Sequence, residues 1–256
     1  AAWLAAGIHV VTPNKQAGSG NLQRFKAIRA AAAASGARFR YEATVGAGLP
    51  IITTLRDLVD TGDTVTSIEG VFSGTLAWLF NKFDGSVPFS QLVMQAREVG
   101  YTEPDPRDDL SGTDVARKLV ILAREAGREI SLDDVDVESL VPESLRQAGV
   151  DEFMTRLPEV DAVFARRLQH AREHGAVLRY VARIASGGKA SVGLVELPAE
   201  HAFGNLRQTD NIVQFTTARY NSNPLVVQGP GAGREVTAAG VFADLLRVAA
   251  GEGARL

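Results

Sequence analysis

Apolar and polar positions alternate along the chain in short, clearly punctuated blocks. "AAWLAAGIHVVTPNK" opens inside an apolar pattern and reads as the tail of a helix stopped at Gly7, followed by a strand from Ile8 to Thr12. Asn21 to Ser35 has helical composition, with Gly36 as its stop. Phe25 and Ile28 give that helix a face to bury, so its alanine run reads as close packing rather than low complexity. "ARFRYEATV", residues 37–45, has strand character. "LPIITTLRDLVDTGD" predicts a helix with Pro50 near its first turn and Gly62 past its end. "TVTSIEGVF" is rich in β-branched residues and predicts a strand. "SGTLAWLFNKF" predicts a helix capped near Ser73. "FSQLVMQAREVG" predicts another, stopped at Gly100, and "PDPRDD" reads as a polar loop before a long helix from about Thr113 to Gly127.

Residues 143–174 read as mainly helical. "VLRYVARIASGGKASVGLVEL" predicts two strands around a two-residue hairpin turn at Gly187-Gly188. "DNIVQFTTARY" and "PLVVQG" are further strands, and "GPGAGREVTAAGVFADLLRVAAG" is a glycine-rich turn opening a closing helix. Helix–strand alternation in the first half points to parallel units, and the later run of strands to an antiparallel section. The expected fold is therefore α/β: part of a nucleotide-type domain with an α+β domain inserted into it. A helix feeding straight into a buried strand is the middle of an α/β unit, so upstream chain is expected to be missing.

Composition narrows the function classes. With 256 residues, 45% hydrophobic and 22% charged, the chain can form one large domain or two modest ones. A net charge of −3 argues against nucleic acid as partner. No apolar run approaches the roughly 20 residues of a spanning helix, and no export signal opens the chain, so a cytoplasmic protein without a membrane partner is expected. The absence of cysteine removes disulfides, thiolate metal sites and cysteine nucleophiles.

The richest chemistry lies in "GYTEPDPRDDLSGTDVARK". Asp114 and Lys118 are four apart on one helix and share a face. Spacing alone is compatible with an ordinary surface ion pair. The neighbours Val115, Leu119, Val120 and Leu122 are apolar, however, and Glu103, Asp105, Asp108 and Asp109 precede the helix. A lysine beside a buried face with carboxylates converging on it can be tuned for acid–base work, and the carboxylates can hold a substrate ammonium. In "EATVGAGLP" a plain turn, a phosphate loop and a cation site built on Glu42 and turned-in carbonyls all remain open. His170 and His174 have the i, i+4 spacing of zinc ligands on a helix. The residue after His170 is alanine, so the H-E-x-x-H pattern fails and the pair reads as solvent-facing, with a zinc hydrolase the remotest reading.

From Ala96 to Lys118 the chain resembles the homoserine dehydrogenase signature: alanine, glycine, aspartate-proline, aspartate-leucine, then G-x-D-x-x-x-K. Further blocks agree: "HVVTPNK" (9–15), "YEATVGAGLPII" (41–52), "GVFSGTLAWLFN" (70–81) and "GAGREVTAAGVFADLLR" (231–247). Their wording is most similar to the dehydrogenase half of fused aspartokinase–homoserine dehydrogenases.

The resemblance implies NADP- or NAD-dependent interconversion of L-aspartate 4-semialdehyde and L-homoserine in threonine, methionine and isoleucine biosynthesis. It implies Lys118 as the proton donor, and Glu103, Asp114, Asp109 and Thr75 around the substrate. It places Lys15, Gly100 and Gly233 by the cofactor, and a sodium ion on Glu42 with the carbonyls of Val45, Ala47 and Leu49. It further implies a partial Rossmann-type NAD(P)-binding domain (1–38 and 227–256), an inserted α+β substrate and dimerisation domain (39–226), and a homodimer or tetramer. No G-x-G-x-x-G precedes Lys15, so weak dinucleotide binding is expected. The alternative is a non-catalytic fragment that binds substrate and oligomerises.

Overall fold

The structure, a computed structural model, describes residues 1–251; the last five positions of the expected 227–256 segment lie outside the described residues. Helix α1 (Ala2–Ala5) leads through Gly7 to β1 (Val10–Val11), a shorter strand than the expected 8–12. A single turn, α2 (Gln16–Ser19), precedes α3 (Leu22–Ser35). The Asn21 side chain accepts from the Arg24 N–H at 3.0 Å, and Gly36 ends α3 in the left-handed region at φ +72°. Strand β2 (Phe39–Arg40) then pairs parallel to β1, so α3 is the crossover that parallel pairing needs. The expected strand over 37–45 stops at Arg40. Residues 42–44 form a 3₁₀ turn because Glu42 turns inward to the helix that follows.

That helix is α4 (Ile51–Asp60), which buries Ile51, Ile52, Leu55 and Leu58. Next come β3 (Val65–Val71), α5 (Gly74–Lys82), α6 (Phe89–Glu98), α7 (Pro106–Leu110) and α8 (Thr113–Glu125). Ser73 caps α5 as expected, accepting from the Leu76 N–H. The "PDPRDD" stretch is helical, not a loop: Asp105 caps α7, and Pro106 occupies a first-turn position where no N–H is needed. Strand β4 (Val135–Val137) was not expected. Helices α9 (Val150–Arg156) and α10 (Asp161–Glu173) precede the strands β5 (Ala176–Ala185), β6 (Ala190–Pro198), β7 (Asp210–Thr217) and β8 (Leu225–Pro230), and α11 (Arg234–Ala249) closes the fold.

The main sheet has six strands in the order β4-β6-β5-β3-β7-β8. β3, which the alternating pattern placed in a parallel-type unit, is antiparallel to both β5 and β7. Only β4 and β6 pair in parallel. The β5–β6 connection is wider than the expected two-residue turn, since residues 186–189 all lie outside the strands. Ser186 gives its N–H to Thr66 at 2.6 Å, and Arg128 donates to the carbonyls of Ala185 and Gly188. These partners from outside the hairpin hold it open.

Period-two alternation splits the sheet into two faces. Ile68, Tyr180, Ala182, Val213 and Phe215 face the helices and join the main core, while Val71, Val181 and Ile212 face away, under Phe203 and Leu206. Arg179 secures that second layer from β5, donating to the carbonyls of Phe203 and Gly204. Helix α11 returns to the opening segment. A Cβ on Gly240 would sit 2.7 Å from the Ala47 carbonyl oxygen, and one on Gly48 2.6 Å from that of Val236, so both contacts are backbone to backbone. Among the described residues no helix is long and apolar enough to cross a membrane.

Candidate active site

Gly112 starts α8 at φ +73°, and a Cβ there would lie 2.0 Å from the Tyr180 hydroxyl. That phenol is itself fixed, donating to the Glu138 carbonyl at 2.6 Å. Glycine is thus required twice over, by conformation and by space. α8 then presents Asp114 in its first turn and Lys118 one turn later. The Lys118 ammonium donates to the Phe72 carbonyl at 2.6 Å and pairs with Asp114 Oδ2 at 2.9 Å. Its side chain is 12% exposed, against 47% for Asp114. Burial pushes the Lys118 pKa below the ordinary lysine value, and the Asp114 charge opposes that shift. Burial works against the Asp114 charge too, but the Lys118 and Lys15 ammonium groups hold its carboxyl below the usual range.

Lys15 reaches this pair because α2 packs tightly on α8. Gly18 permits the approach, since a Cβ there would stand 3.0 Å from Ile121. Arg124, buried in the last turn of α8, donates to the carbonyls of Gly18 (2.7 Å), Gly20 (2.8 Å) and Ile130 (2.9 Å). With α2 fixed, Lys15 at its start sits 3.1 Å from Asp114 Oδ1. One carboxylate therefore bridges two ammonium groups.

A second constellation lies beside the first. Asp109 Oδ2 accepts from the Glu103 N–H at 2.8 Å. The Thr75 hydroxyl lies 2.8 Å from Asp109 Oδ1 and 2.6 Å from the Tyr101 carbonyl. One hydroxyl proton cannot serve both acceptors in full, and burial, the leading cause, raises the Asp109 pKa, as does the Glu103 charge. Among the described residues no hydrogen bond or ion pair joins the Glu103 carboxylate to Lys118 or Asp114; Glu103 is exposed, and it is its backbone N–H that contacts Asp109. Gly100 ends α6 at φ +75° with open space where a Cβ would be, and Gly233 precedes α11 at φ +123°.

Glu42 has a role that sequence reading did not anticipate. Pro50 cannot cap α4 with a side chain, and the Glu42 carboxylate does so instead, accepting from Ile52 N–H (2.7 Å), Thr53 N–H (2.9 Å) and the Thr53 hydroxyl (2.5 Å). The Glu42 N–H donates to Asp244 of α11 at 2.8 Å. Burial raises the Glu42 pKa, opposed by these hydrogen bonds. Gly46 and Ala47 follow in the left-handed region, at φ +70° and +52°, which redirects their carbonyls. The Leu49 carbonyl accepts from Ile51. Those of Val45 and Ala47 accept no hydrogen bond among the described residues. Carboxylate and carbonyl oxygens are hard donors, the kind that small alkali or alkaline-earth cations take.

Comparison with known proteins then fixes the relationship. The homoserine dehydrogenase family profile matches residues 50–246, and the profile for the NAD binding domain of homoserine dehydrogenase matches residues 1–42. The chain belongs to the homoserine dehydrogenase family. A maize bifunctional aspartokinase/homoserine dehydrogenase is 55% identical over 254 residues, covering 98% of this chain and 28% of the maize protein. A homoserine dehydrogenase from Emericella nidulans is 52% identical, over 96% of this chain and 70% of its own length. The chain thus spans little more than a quarter of the bifunctional relatives it matches. A crystal structure of a Candida auris protein of unknown function superposes with a TM-score of 0.94 at 46% identity, over 97% of this chain and 72% of that one. A mutant of a hyperthermophilic archaeal homoserine dehydrogenase in complex with NADPH gives 0.73 at 25%, over 98% and 67%. The glycine turn at 46–48 falls between the two family matches.

Of the residues singled out in the sequence, Lys118, Asp114 and Lys15 form an ion cluster, and Asp109, Thr75 and the Glu103 backbone form a hydrogen-bonded one. Three contributors were missed. The Phe72 carbonyl and Arg124 are two. Asn211 is the third: fully buried, it donates to the same Phe72 oxygen at 3.2 Å, and its own Oδ1 has no partner among the described residues. A side chain at Gly231 would collide with it, so that glycine leaves its room.

Proposed function

We propose that this chain carries the proton-transfer and substrate-holding machinery of a homoserine dehydrogenase, interconverting L-aspartate 4-semialdehyde and L-homoserine with NADPH or NADH. The observation that carries this reading is the buried Lys118 ammonium, held between the Phe72 carbonyl and Asp114. When bound, the reduced nicotinamide supplies a hydride to the aldehyde carbon. Lys118 gives its proton to the carbonyl oxygen as negative charge develops there, which yields the alcohol. The reverse direction needs the neutral amine, and burial of Lys118 favours that form. Asp114 aims the ammonium and keeps Lys15 beside it, Lys15 together with Gly100 and Gly233 bordering the cofactor. Glu103 and Asp109 receive the substrate ammonium, with Thr75 orienting Asp109. Residues 1–38 and the described part of 227–256 form the nucleotide-binding part, and 39–226 the substrate part.

Two assays on the same preparation test this. Lys118→Ala should lower kcat for NADPH-dependent reduction of the semialdehyde by about 10²–10⁴-fold, the usual worth of a positioned acid. Homoserine binding measured by calorimetry should survive the change. Homoserine binding without turnover by the wild-type chain would instead identify a substrate-binding module. Full activity in Lys118→Ala would overturn the assignment.

The same reading puts a sodium ion between the Glu42 carboxylate and the carbonyls of Val45, Ala47 and Leu49. It is supported by the hard oxygen donors there and by a carboxylate whose burial disfavours its charge. Sodium chloride should then raise the melting temperature above choline chloride at equal ionic strength, and Glu42→Gln should abolish the difference. Equal melting temperatures in the two salts for the wild type would exclude the ion.

A further inference from the structure

Away from the Lys118 cluster, His170 of α10 and His174, which ends that helix, meet a carboxylate that their sequence gives no reason to expect. We propose that His170, His174 and Glu196 form a binding site for a divalent transition-metal ion of the zinc class, which ties α10 to β6.

His170 and His174 stack one turn apart, with ring centroids separated by 4.4 Å. Glu196 reaches them from β6 because its neighbours two and four residues back, Leu194 and Val192, belong to the core under the helices, so position 196 points to that same side. His170 Nδ1 lies 2.8 and 3.0 Å from the two Glu196 oxygens. One ligand atom from each of the three residues lies within 4.8 Å of the others, and all three side chains reach solvent.

The hydrogen bonds around the cluster favour ligation. His174 Nδ1 is 2.8 Å from the His170 carbonyl. A carbonyl only accepts, so Nδ1 carries the proton, and in the neutral ring Nε2 keeps its lone pair. An imidazole oriented by donating to a backbone carbonyl is a recurrent support for a metal ligand. The His170 Nδ1 contact to Glu196 carries one proton, and moving it to Nε2, the other tautomer of the neutral ring, leaves Nδ1 and the Glu196 oxygens facing one another as donors to a cation. Among the described residues His170 is the only ion-pair partner of Glu196, and no lysine or arginine competes for the carboxylate.

Two imidazoles and a carboxylate select zinc, nickel or copper over magnesium or calcium. Tetrahedral zinc with bonds of about 2.0–2.2 Å needs the three atoms to close to roughly 3.3–3.5 Å, which exposed side chains reach by rotamer adjustment. The remaining positions are left to water. Because β5 begins two residues after His174 and pairs with β6, an ion here would clamp one end of the β5–β6 ladder to the preceding helix.

Metal-stripped protein titrated with zinc sulfate in a calorimeter should show one saturable site per chain. His170→Ala and His174→Ala should each weaken binding by at least the ~10–100-fold that loss of a mere supporting partner costs. Glu196→Gln should weaken it as well. Zinc should raise the melting temperature of the wild type and leave that of the His170→Ala/His174→Ala double variant where it is. His9→Ala and His201→Ala, which replace the two remaining histidines, should bind as the wild type does. No saturation by about 1 mM zinc, or equal affinity in the double variant, would overturn the site, and unchanged affinity in Glu196→Gln would overturn the three-ligand set.

Discussion

Lys118 is a cation held largely out of water, and its behaviour with pH follows from that. Burial lowers its pKa, Asp114 opposes the shift and Lys15 adds to it. Between the lowered value and the ordinary ~10.4, the unfolded chain binds a proton that the folded chain does not, so stability attributable to this residue rises with pH through that window and is least below it. The catalytic consequence has the opposite sign for the two directions. Semialdehyde reduction should decline, and homoserine oxidation rise, as pH passes through the lowered value. Paired kcat/KM profiles would show this, and a reductive profile flat up to the ordinary lysine range would contradict it. The pairing of Asp114 with Lys118 was legible in the sequence because helical spacing fixes it. The Phe72 carbonyl was not, because any residue type offers the same oxygen. Asn211 was not, because it acts on a residue 139 positions away, across a strand pairing that no local pattern announces.

Helix boundaries were the most readable feature among the elements. Gly36, Gly62 and Gly100 sit just past helix ends in the left-handed region, where only glycine is free of strain. Gly112 applies the same rule at the start of α8, with a phenol added. Gly112→Ala should cost about 2–4 kcal/mol, from backbone strain together with overpacking. Urea unfolding of Gly112→Ala, Tyr180→Phe and the double variant should reveal coupling, since removing the hydroxyl removes the closest clash. Strict additivity would mean that the phenol does not matter. Elements whose stability comes from elsewhere escaped the sequence reading. α2 has four residues and depends on Arg124, and β4 has three and depends on β6; α4 was legible as a helix, but not its cap, which Glu42 supplies from beyond an intervening turn. The strand character of β3 was evident, but not its position, because partner choice is decided by which faces become buried together.

At the scale of the whole molecule, the small β1–β2 unit and the six-stranded sheet share one buried core, in which Phe25, Ile28 and Phe39 join Ile68 and Phe215, and specific polar contacts tie them further. Arg124 is the principal tie on one side, satisfying three carbonyls from two connections. Arg124→Met would leave those oxygens unpaired and should cost about 2–4 kcal/mol. Hydrogen exchange should then speed up in α2 and the first turn of α3, and Lys15 should lose its fixed place beside Asp114. Unchanged exchange there would show that α2 is held by packing alone. The tie on the other side is α11, whose Asp244 accepts the Glu42 N–H across 202 positions of chain. During synthesis these two partners are delivered 202 residues apart. The Glu42 N–H must wait unmatched until the later helix emerges, so the segment around Glu42 should become protease-resistant only once α11 has been made.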